Sequence, residues 1–288
     1  MRLVIISGRS GSGKSTALQA LEDLGFYCID NLPVTLLPTL AEQLQQAPMH
    51  DKQGVAISID ARNIAIGLNL FPDIYRRVDH PPFECDILYL DATPATLLKR
   101  FSATRRRHPL SNDGKSLKQV IELERTLLEP ISDLADLTID TTALSLYELR
   151  DIIKRRVAQR ASQELSLQFQ SFGFKHGVPL DCDFVYDVRC LPNPYWEPSL
   201  RQYTGRDQPV IDYLQGQPEV EAMFADIAAF LHKWMPFFEQ NNRSYLTVAV
   251  GCTGGQHRSV YLAERLAGHF QGSMDNVLVS HRELPTPG

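Results

Sequence analysis

Four apolar residues, Leu3-Val4-Ile5-Ile6, open the chain and give way at once to the small and polar stretch Ser7 to Thr16. A short apolar run closed by glycines predicts a buried strand. Leu18, Leu21 and Leu24 then recur at helical spacing, and Gly25 follows as a helix terminator. Apolar runs return at 55–60 (VAISID) and 86–91 (DILYLD), each closing on an aspartate, and residues 130–142 predict another strand. Helical periodicity occupies 94–107 and 145–165. In the second of these, Leu146, Leu149, Ile152, Ile153 and Val157 form one apolar stripe. Strands alternating with helices predict an α/β fold with a parallel sheet.

The pattern changes near Gln168–Gly173. A chain of 288 residues exceeds the usual single core. Two domains are therefore expected, 1–168 and 169–288. In the second, FVYDVRC (184–190) alternates and breaks at the proline-rich loop Leu191 to Trp196. Residues 220–238 predict a helix with Phe224, Ile227, Phe230, Leu231 and Trp234 facing a core. Tyr245 to Tyr261 reads as a strand, a glycine loop and a helix start, so this domain is also α/β.

The first strand-to-helix turn carries chemistry. Gly8-Arg9-Ser10-Gly11-Ser12-Gly13-Lys14-Ser15 fills every fixed position of the phosphate-binding pattern G-x-x-x-x-G-K-[ST]. Glycines let successive backbone amides curl around a phosphate chain, and the following helix presents its positive end to the same oxygens. Lys14 reaches the β- and γ-phosphates, and the Ser15 hydroxyl ligates Mg²⁺. Parallel sheets bind ligands at the carboxyl ends of their strands, where Asp60 and Asp91 also fall. Asp91 suits a magnesium-holding role or a plain turn aspartate. Asp60-Ala61-Arg62-Asn63 forms a polar cluster facing the same cleft, as a second nucleotide contact or a substrate contact. Arg100, Arg105, Arg106 and Arg107, followed by the turn-rich His108 to Gly114, predict a lid over the phosphates. The half reads as a P-loop kinase-like sheet with flanking helices. Tyr27, Asp30 and Asn31 lie where a phosphoryl acceptor would sit, but they form no clear acceptor signature.

A second anion loop is expected at Cys252-Thr253-Gly254-Gly255-Gln256-His257-Arg258-Ser259. Cys-x-x-Gly-x-x-Arg-Ser has the spacing of a cysteine-phosphatase phosphate loop. Three readings stand side by side: an anion site without chemistry, a covalent phosphatase, and a plain strand–helix turn. Gly251, rather than histidine, precedes the cysteine.

Composition narrows the classes. Net charge is −5, with 20 Lys and Arg against 21 Asp and Glu in residues 1–170, and 9 against 13 in the remainder. Neither half has the excess of a dedicated nucleic-acid binder. The five cysteines form no CxxC pair, which argues against a disulfide framework or zinc site. With no signal peptide and no membrane-length apolar run, a reduced cytoplasmic protein is expected.

SGRSGSGKS together with GFYCIDNLP (25–33), SFGFKHG (171–177), LPNPYW (191–196) and NNRSYLTVAVGCTGGQHRSVY (241–261) closely resembles the RapZ/YvcJ family of P-loop RNase adapters across essentially the whole chain. The resemblance implies weak ATPase and GTPase activity, with ATP phosphates at Gly8–Ser15 and a guanine-nucleotide element at Asp60-Ala61-Arg62-Asn63. It implies a second domain that senses glucosamine-6-phosphate, for which Asn242, Thr253, Gly254, His257 and Arg258 make the cradle. It further implies binding of a small regulatory RNA, its presentation to RNase E in the control of hexosamine synthesis, and a homo-oligomer, a tetramer. A small-molecule P-loop kinase with a regulatory second domain is the alternative. One departure concerns RNA: the family's adapter carries a basic tail, whereas residues 266–288 hold one arginine against Asp275 and Glu283. Weaker, salt-sensitive RNA contact follows.

Overall fold

The computed structural model describes residues 1–46, 52–104, 107–111, 115–158, 165–241 and 243–284, without the side chains of 64–66. The chain divides between Arg160 and Ala161. The boundary expected at 168–169 falls inside a strand of the second sheet. The composition shift there marks a new sheet beginning, a few residues beyond the true junction.

The first unit runs β1 (Arg2–Gly8), α1 (Lys14–Asp23), β2 (Tyr27–Ile29), α2 (Leu37–Gln46), β3 (Val55–Ser58), α3 (Phe71–Arg76), β4 (Glu84–Asp91), α4 (Pro94–Thr104), α5 (Leu117–Ser132), β5 (Leu137–Asp140) and α6 (Leu146–Ile152). Its five strands are parallel in the order β2-β3-β1-β4-β5. Leu3, Ile5, Ile57 and Ile87 leave no surface exposed, and Phe71 and Leu128 pack against them. Burying each such side chain contributes roughly 1.5–3 kcal/mol. Two helices begin where the sequence supplies a capping box. Ser116 with Gln119 opens α5, and Ser145 with Glu148 opens α6.

Two elements differ from the periodicity. Residues 130–132 finish α5, and the strand begins only at Leu137. The long helix expected over 145–165 is α-helical to Ile152, then widens into a π-helical turn over Ile153–Ala158; 159–164 lie outside the described residues, and Leu165 is not helical. Leu146, a member of its apolar stripe, is 66% exposed.

The second unit runs β6 (Ser166–Gly173), β7 (Phe184–Asp187), α7 (Gln208–Gln215), α8 (Pro218–Gln240), β8 (Tyr245–Cys252), α9 (Arg258–Gln271) and β9 (Val277–His281). Its parallel sheet has the order β7-β8-β6-β9. Phe169 of β6 meets Phe270 of α9 with ring centroids 5.7 Å apart, inside a core with Leu246, Val248, Val250 and Leu266. On α8, Ile227 and Leu231 are buried as expected. Phe230 and Trp234 instead stand on its open side, where Phe230 pairs with Trp234 and with Phe184 of the edge strand. Both expected α/β units are therefore present as parallel sheets. No described helix is long and apolar enough to cross a membrane.

Candidate functional site

β1 ends at Gly8, and the loop to α1 turns back over the carboxyl edge of the sheet. Gly8 has φ 143° and lies against β4 so closely that a Cβ there would stand 2.0 Å from the Leu90 carbonyl oxygen. Glycine is therefore fixed here by backbone approach as well as by φ. Gly13, with φ 109°, caps α1. Ser10 to Thr16 line a cavity of about 620 Å³ together with Asp30, Asp60, Arg62, Arg100, Arg107, Thr141 and Leu149.

Lys14 lies across the loop, its Nζ donating to the Gly8 carbonyl at 2.7 Å and the Arg9 carbonyl at 3.3 Å. Burial lowers its pKa, opposed by the charges of Glu124, Asp60 and Asp30. The Ser15 side chain lines the same cavity. A hydroxyl at this position, beside backbone amides, is the oxygen donor a phosphate-bound Mg²⁺ takes, so the residues present fit that ion.

Several expected residues do other work. The Arg9 side chain is 4% exposed. Its Nε donates to Asp91 Oδ1 at 2.6 Å and its Nη2 to the Ala92 carbonyl at 2.5 Å. Neither Arg9 nor Gly8 lines the cavity. Asp91 also accepts from the Ala92 amide at 2.8 Å and does not line the cavity either. The strand-end carboxylate expected to hold magnesium is instead the counter-ion of a buried arginine beneath the loop. The sequence places Asp91 at the right strand end but cannot show which way its side chain is drawn.

The cluster Asp60-Ala61-Arg62-Asn63 is similarly committed. Arg62 forks onto both Asp60 oxygens, with Nη2 to Oδ2 at 2.6 Å. The Asn63 side-chain Oδ1 accepts from the Val34 amide at 3.2 Å, and its Nδ2 donates to Asn31 Oδ1 at 3.2 Å. Asp60, Ala61 and Asn63 are buried. None of these three offers the free acceptor and donor edge that reading a guanine requires, so the cluster is built as a clamp. The Arg62 side chain remains 49% exposed.

Sequence reasoning missed Glu124. It is fully buried, accepts from the Ser10 amide at 2.9 Å and the Ser10 hydroxyl at 2.6 Å, and faces His108 Nε2 at 3.0 Å. Burial pushes its pKa up, but the bonds from His108 and Ser10 and the charge of Lys14 outweigh this and hold it below the ordinary range. The available signal was its position in α5: Val120, Ile121, Leu128 and Ile131 are buried, and Glu124 interrupts that face. Thr141 was missed too, and its Oγ1 donates to the Ser12 carbonyl at 2.8 Å. Arg100, expected in the lid, reaches the Gly11 carbonyl at 2.9 Å and the Thr141 hydroxyl at 2.9 Å. It braces the loop from the β5 side. Arg107 lines the cavity, whereas Arg105, Arg106 and 112–114 lie outside the described residues.

In the second unit a cavity of about 480 Å³ is lined by Arg189, Asn193, Trp196, Glu219, Thr253 and Arg258. Arg258, the first residue of α9, is 4% exposed. Its Nη1 donates to the carbonyls of Arg189 and Leu191, each at 2.9 Å, so it fastens the 189–191 loop while facing the cavity. Gly254 and His257 do not line this cavity. Burial lowers the His257 pKa below its ordinary value. Cys252 is 3% exposed, and its Sγ accepts from the Gly255 amide at 3.3 Å. Burial pushes that thiol up, but the bonds from Ser259 and nearby amides win and lower it. A covalent phosphatase needs its sulfur open to substrate, and this cysteine is buried with its sulfur bonded to Ser259 and Gly255. Asn242 lies outside the described residues.

Residues 1–161 match the family described as RapZ-like N-terminal domain, and residues 165–285 match RapZ C-terminal domain. A "Nucleotide-binding protein" of Marinobacter nauticus is 58% identical over 287 residues, covering 99% of this chain and 97% of that protein. One of Hahella chejuensis is 56% identical over 284 residues, covering 99% of each. Among solved structures, a sugar kinase from Janibacter sp. aligns with 52% of this chain and 91% of its own, at 18% identity and TM-score 0.35. With both domain families matched in order along nearly its full length, the chain belongs to the RapZ family.

Proposed function

We propose that this protein is a nucleotide-binding regulator that hydrolyses ATP or GTP slowly. Its second domain would bind a sugar phosphate such as glucosamine-6-phosphate. That domain would also bind a small regulatory RNA, which a cytoplasmic homotetramer presents to RNase E. The observation that carries the nucleotide part is the joint placement of the loop residues Ser10–Ser15, with Lys14 among them, on one cavity of about 620 Å³. Loop amides and the α1 N-terminus hold phosphate oxygens without regard to the base. Lys14 swings from the Gly8 and Arg9 carbonyls to the β- and γ-phosphates. The Ser15 hydroxyl and phosphate oxygens hold Mg²⁺, which neutralises charge on the phosphates when bound. Because Asp60 is occupied by Arg62, selectivity for guanine over adenine is expected to be small.

The sugar-phosphate part rests on the cavity of about 480 Å³, where Arg189, Arg258, Thr253 and Asn193 supply cationic and neutral donors. The RNA and RNase E parts rest on family membership. The small basic content of the second domain predicts weak RNA affinity with a shallow salt dependence, because few phosphate contacts release few counterions. Nucleotide turnover by wild type and Lys14→Ala, with an RNA shift assay over a salt series, tests the proposal. Turnover of ATP and GTP by Lys14→Ala equal to that of wild type would reject the nucleotide site. No RNA shift at low salt would reject the RNA role.

A further inference from the structure

The strand order β2-β3-β1-β4-β5 sets the phosphate loop after β1 in the middle of the sheet edge and divides the cavity around it. On the β4–β5 side its lining includes Phe101, Leu144, Leu146 and Leu149, with Arg100, Arg107 and Thr141 beside them. The apolar side chains of that wall suit the flat face of a nucleobase, and its arginines suit the phosphates next to it. On the β2–β3 side its lining is Asp30, Asp60 and Arg62. A nucleoside triphosphate with its base on the apolar wall and its phosphates along the loop ends at the charged side. Asp30, Asp60 and Arg62 all act on the charge of Lys14, so they stand within electrostatic range of the phosphate-reaching ammonium.

Asp30 and Arg62 are held for a task the nucleotide does not require. The Ser58 hydroxyl donates to Asp30 Oδ1 at 2.5 Å and accepts from the Asn31 amide at 2.7 Å. Asn31 has φ 53°, a left-handed conformation that costs on the order of 1 kcal/mol outside glycine. Its side chain is tied in turn to Asn63. This network aims a carboxylate into the cavity from the end of β2. The clamp on Asp60 likewise fixes a guanidinium whose side chain stays half exposed beside it.

We infer that the β2–β3 side of the cavity is a phosphoryl-acceptor subsite for a small hydroxylated anion. Arg62 binds the anionic group of this substrate and Asp30 takes the proton of its hydroxyl. The inference rests on the nucleotide reading of the loop. In the transfer, a lone pair of the acceptor oxygen forms a bond to the γ-phosphorus. The bond from that phosphorus to the β,γ-bridging oxygen breaks, its electron pair leaves with the nucleoside diphosphate, and the hydroxyl proton passes to Asp30. Water in the same subsite gives slow hydrolysis as the default outcome.

The test uses the full chain loaded with a non-hydrolysable ATP analogue and titrated in a calorimeter with D-glycerate, glycerol 3-phosphate and glycerol. Binding of D-glycerate or glycerol 3-phosphate, but not glycerol, is expected, and the two anions separate carboxylate from phosphate recognition. Arg62→Ala should weaken the bound anion about tenfold more than it weakens the analogue, the loss expected for one charge-assisted hydrogen bond. With radiolabelled ATP, wild type should phosphorylate that anion. Asp30→Asn, which keeps the side-chain volume, should retain the anion and lose the labelled product. The inference is overturned if analogue-loaded wild type binds neither anion, if the bound anion gains no label, if Asp30→Asn still transfers, or if Arg62→Ala weakens analogue and anion alike. Failure of wild type to bind the analogue at all removes the nucleotide reading and this inference with it. Binding of the analogue without an anion removes the inference alone.

Discussion

Glu124 Oε1 accepts from the Ser10 hydroxyl at 2.6 Å while its Oε2 accepts from the Ser10 amide at 2.9 Å, so a side chain of α5 fastens the phosphate loop 114 residues upstream. His108 shares the Oε2 oxygen, which joins the segment after α4 to the same point. The Ser10 amide is thereby spent on a protein carboxylate, leaving later loop amides to a phosphate.

Removing Glu124 should unfasten three segments together. Glu124→Ala leaves the Ser10 and His108 donors buried without an acceptor and should destabilise the first domain by about 3 kcal/mol. Urea denaturation of wild type and variant measures this. A difference below about 1 kcal/mol would contradict the fastening role.

The same carboxylate makes stability pH-dependent. Its folded pKa lies below the ordinary value of 4.5, so its contribution is complete above that value. It is lost as pH falls from there through the folded value. Wild type should therefore exceed Glu124→Gln in stability at pH 7, with the gap narrowing below pH 4.5. Denaturation midpoints collected from pH 7 to pH 3 show whether the curves converge. Parallel curves would place the titration elsewhere.

Asp91→Asn separates a structural from a magnesium-holding aspartate. The Arg9 guanidinium would lose its only described carboxylate, costing about 2 kcal/mol of stability. The magnesium dependence of nucleotide binding should hardly change. A large rise in the magnesium concentration required would restore the metal role.

Two loop glycines should respond differently to alanine. Gly8→Ala combines φ 143° with a Cβ 2.0 Å from the Leu90 carbonyl oxygen and should cost more than about 3 kcal/mol. At Gly11, with φ 85°, the nearest neighbours of a Cβ are side-chain carbons at 3.6 Å, and the cost should be about 1–2 kcal/mol. Thermal melts of both variants rank them, and equal losses would show that φ alone decides.

In the second domain, Arg258→Lys keeps the charge, but its shorter side chain does not place a donor where Nη1 meets the carbonyls of Arg189 and Leu191. It should weaken glucosamine-6-phosphate binding nearly as much as Arg258→Ala does, because the 189–191 loop is released in both. Calorimetry with each variant measures this. Full retention by the lysine variant would mean that charge alone matters.

The phosphate loop, the parallel α/β sheets and the strand–loop–helix at Cys252 were readable from residue order. Each depends on local spacing: glycines where the backbone must turn, apolar runs where strands are buried, and capping serines where helices start. The partners of charged side chains were not readable in this way. Asp91 turns to Arg9, Asp60 to Arg62 and Glu124 to Ser10. Two of those pairs join residues more than eighty positions apart, and only the order β2-β3-β1-β4-β5 brings them together. Sequence by itself determined that a phosphate site exists, because the loop is a local backbone structure. The tertiary structure decided which charges face it, because buried charges take whichever partner packing places within hydrogen-bond reach.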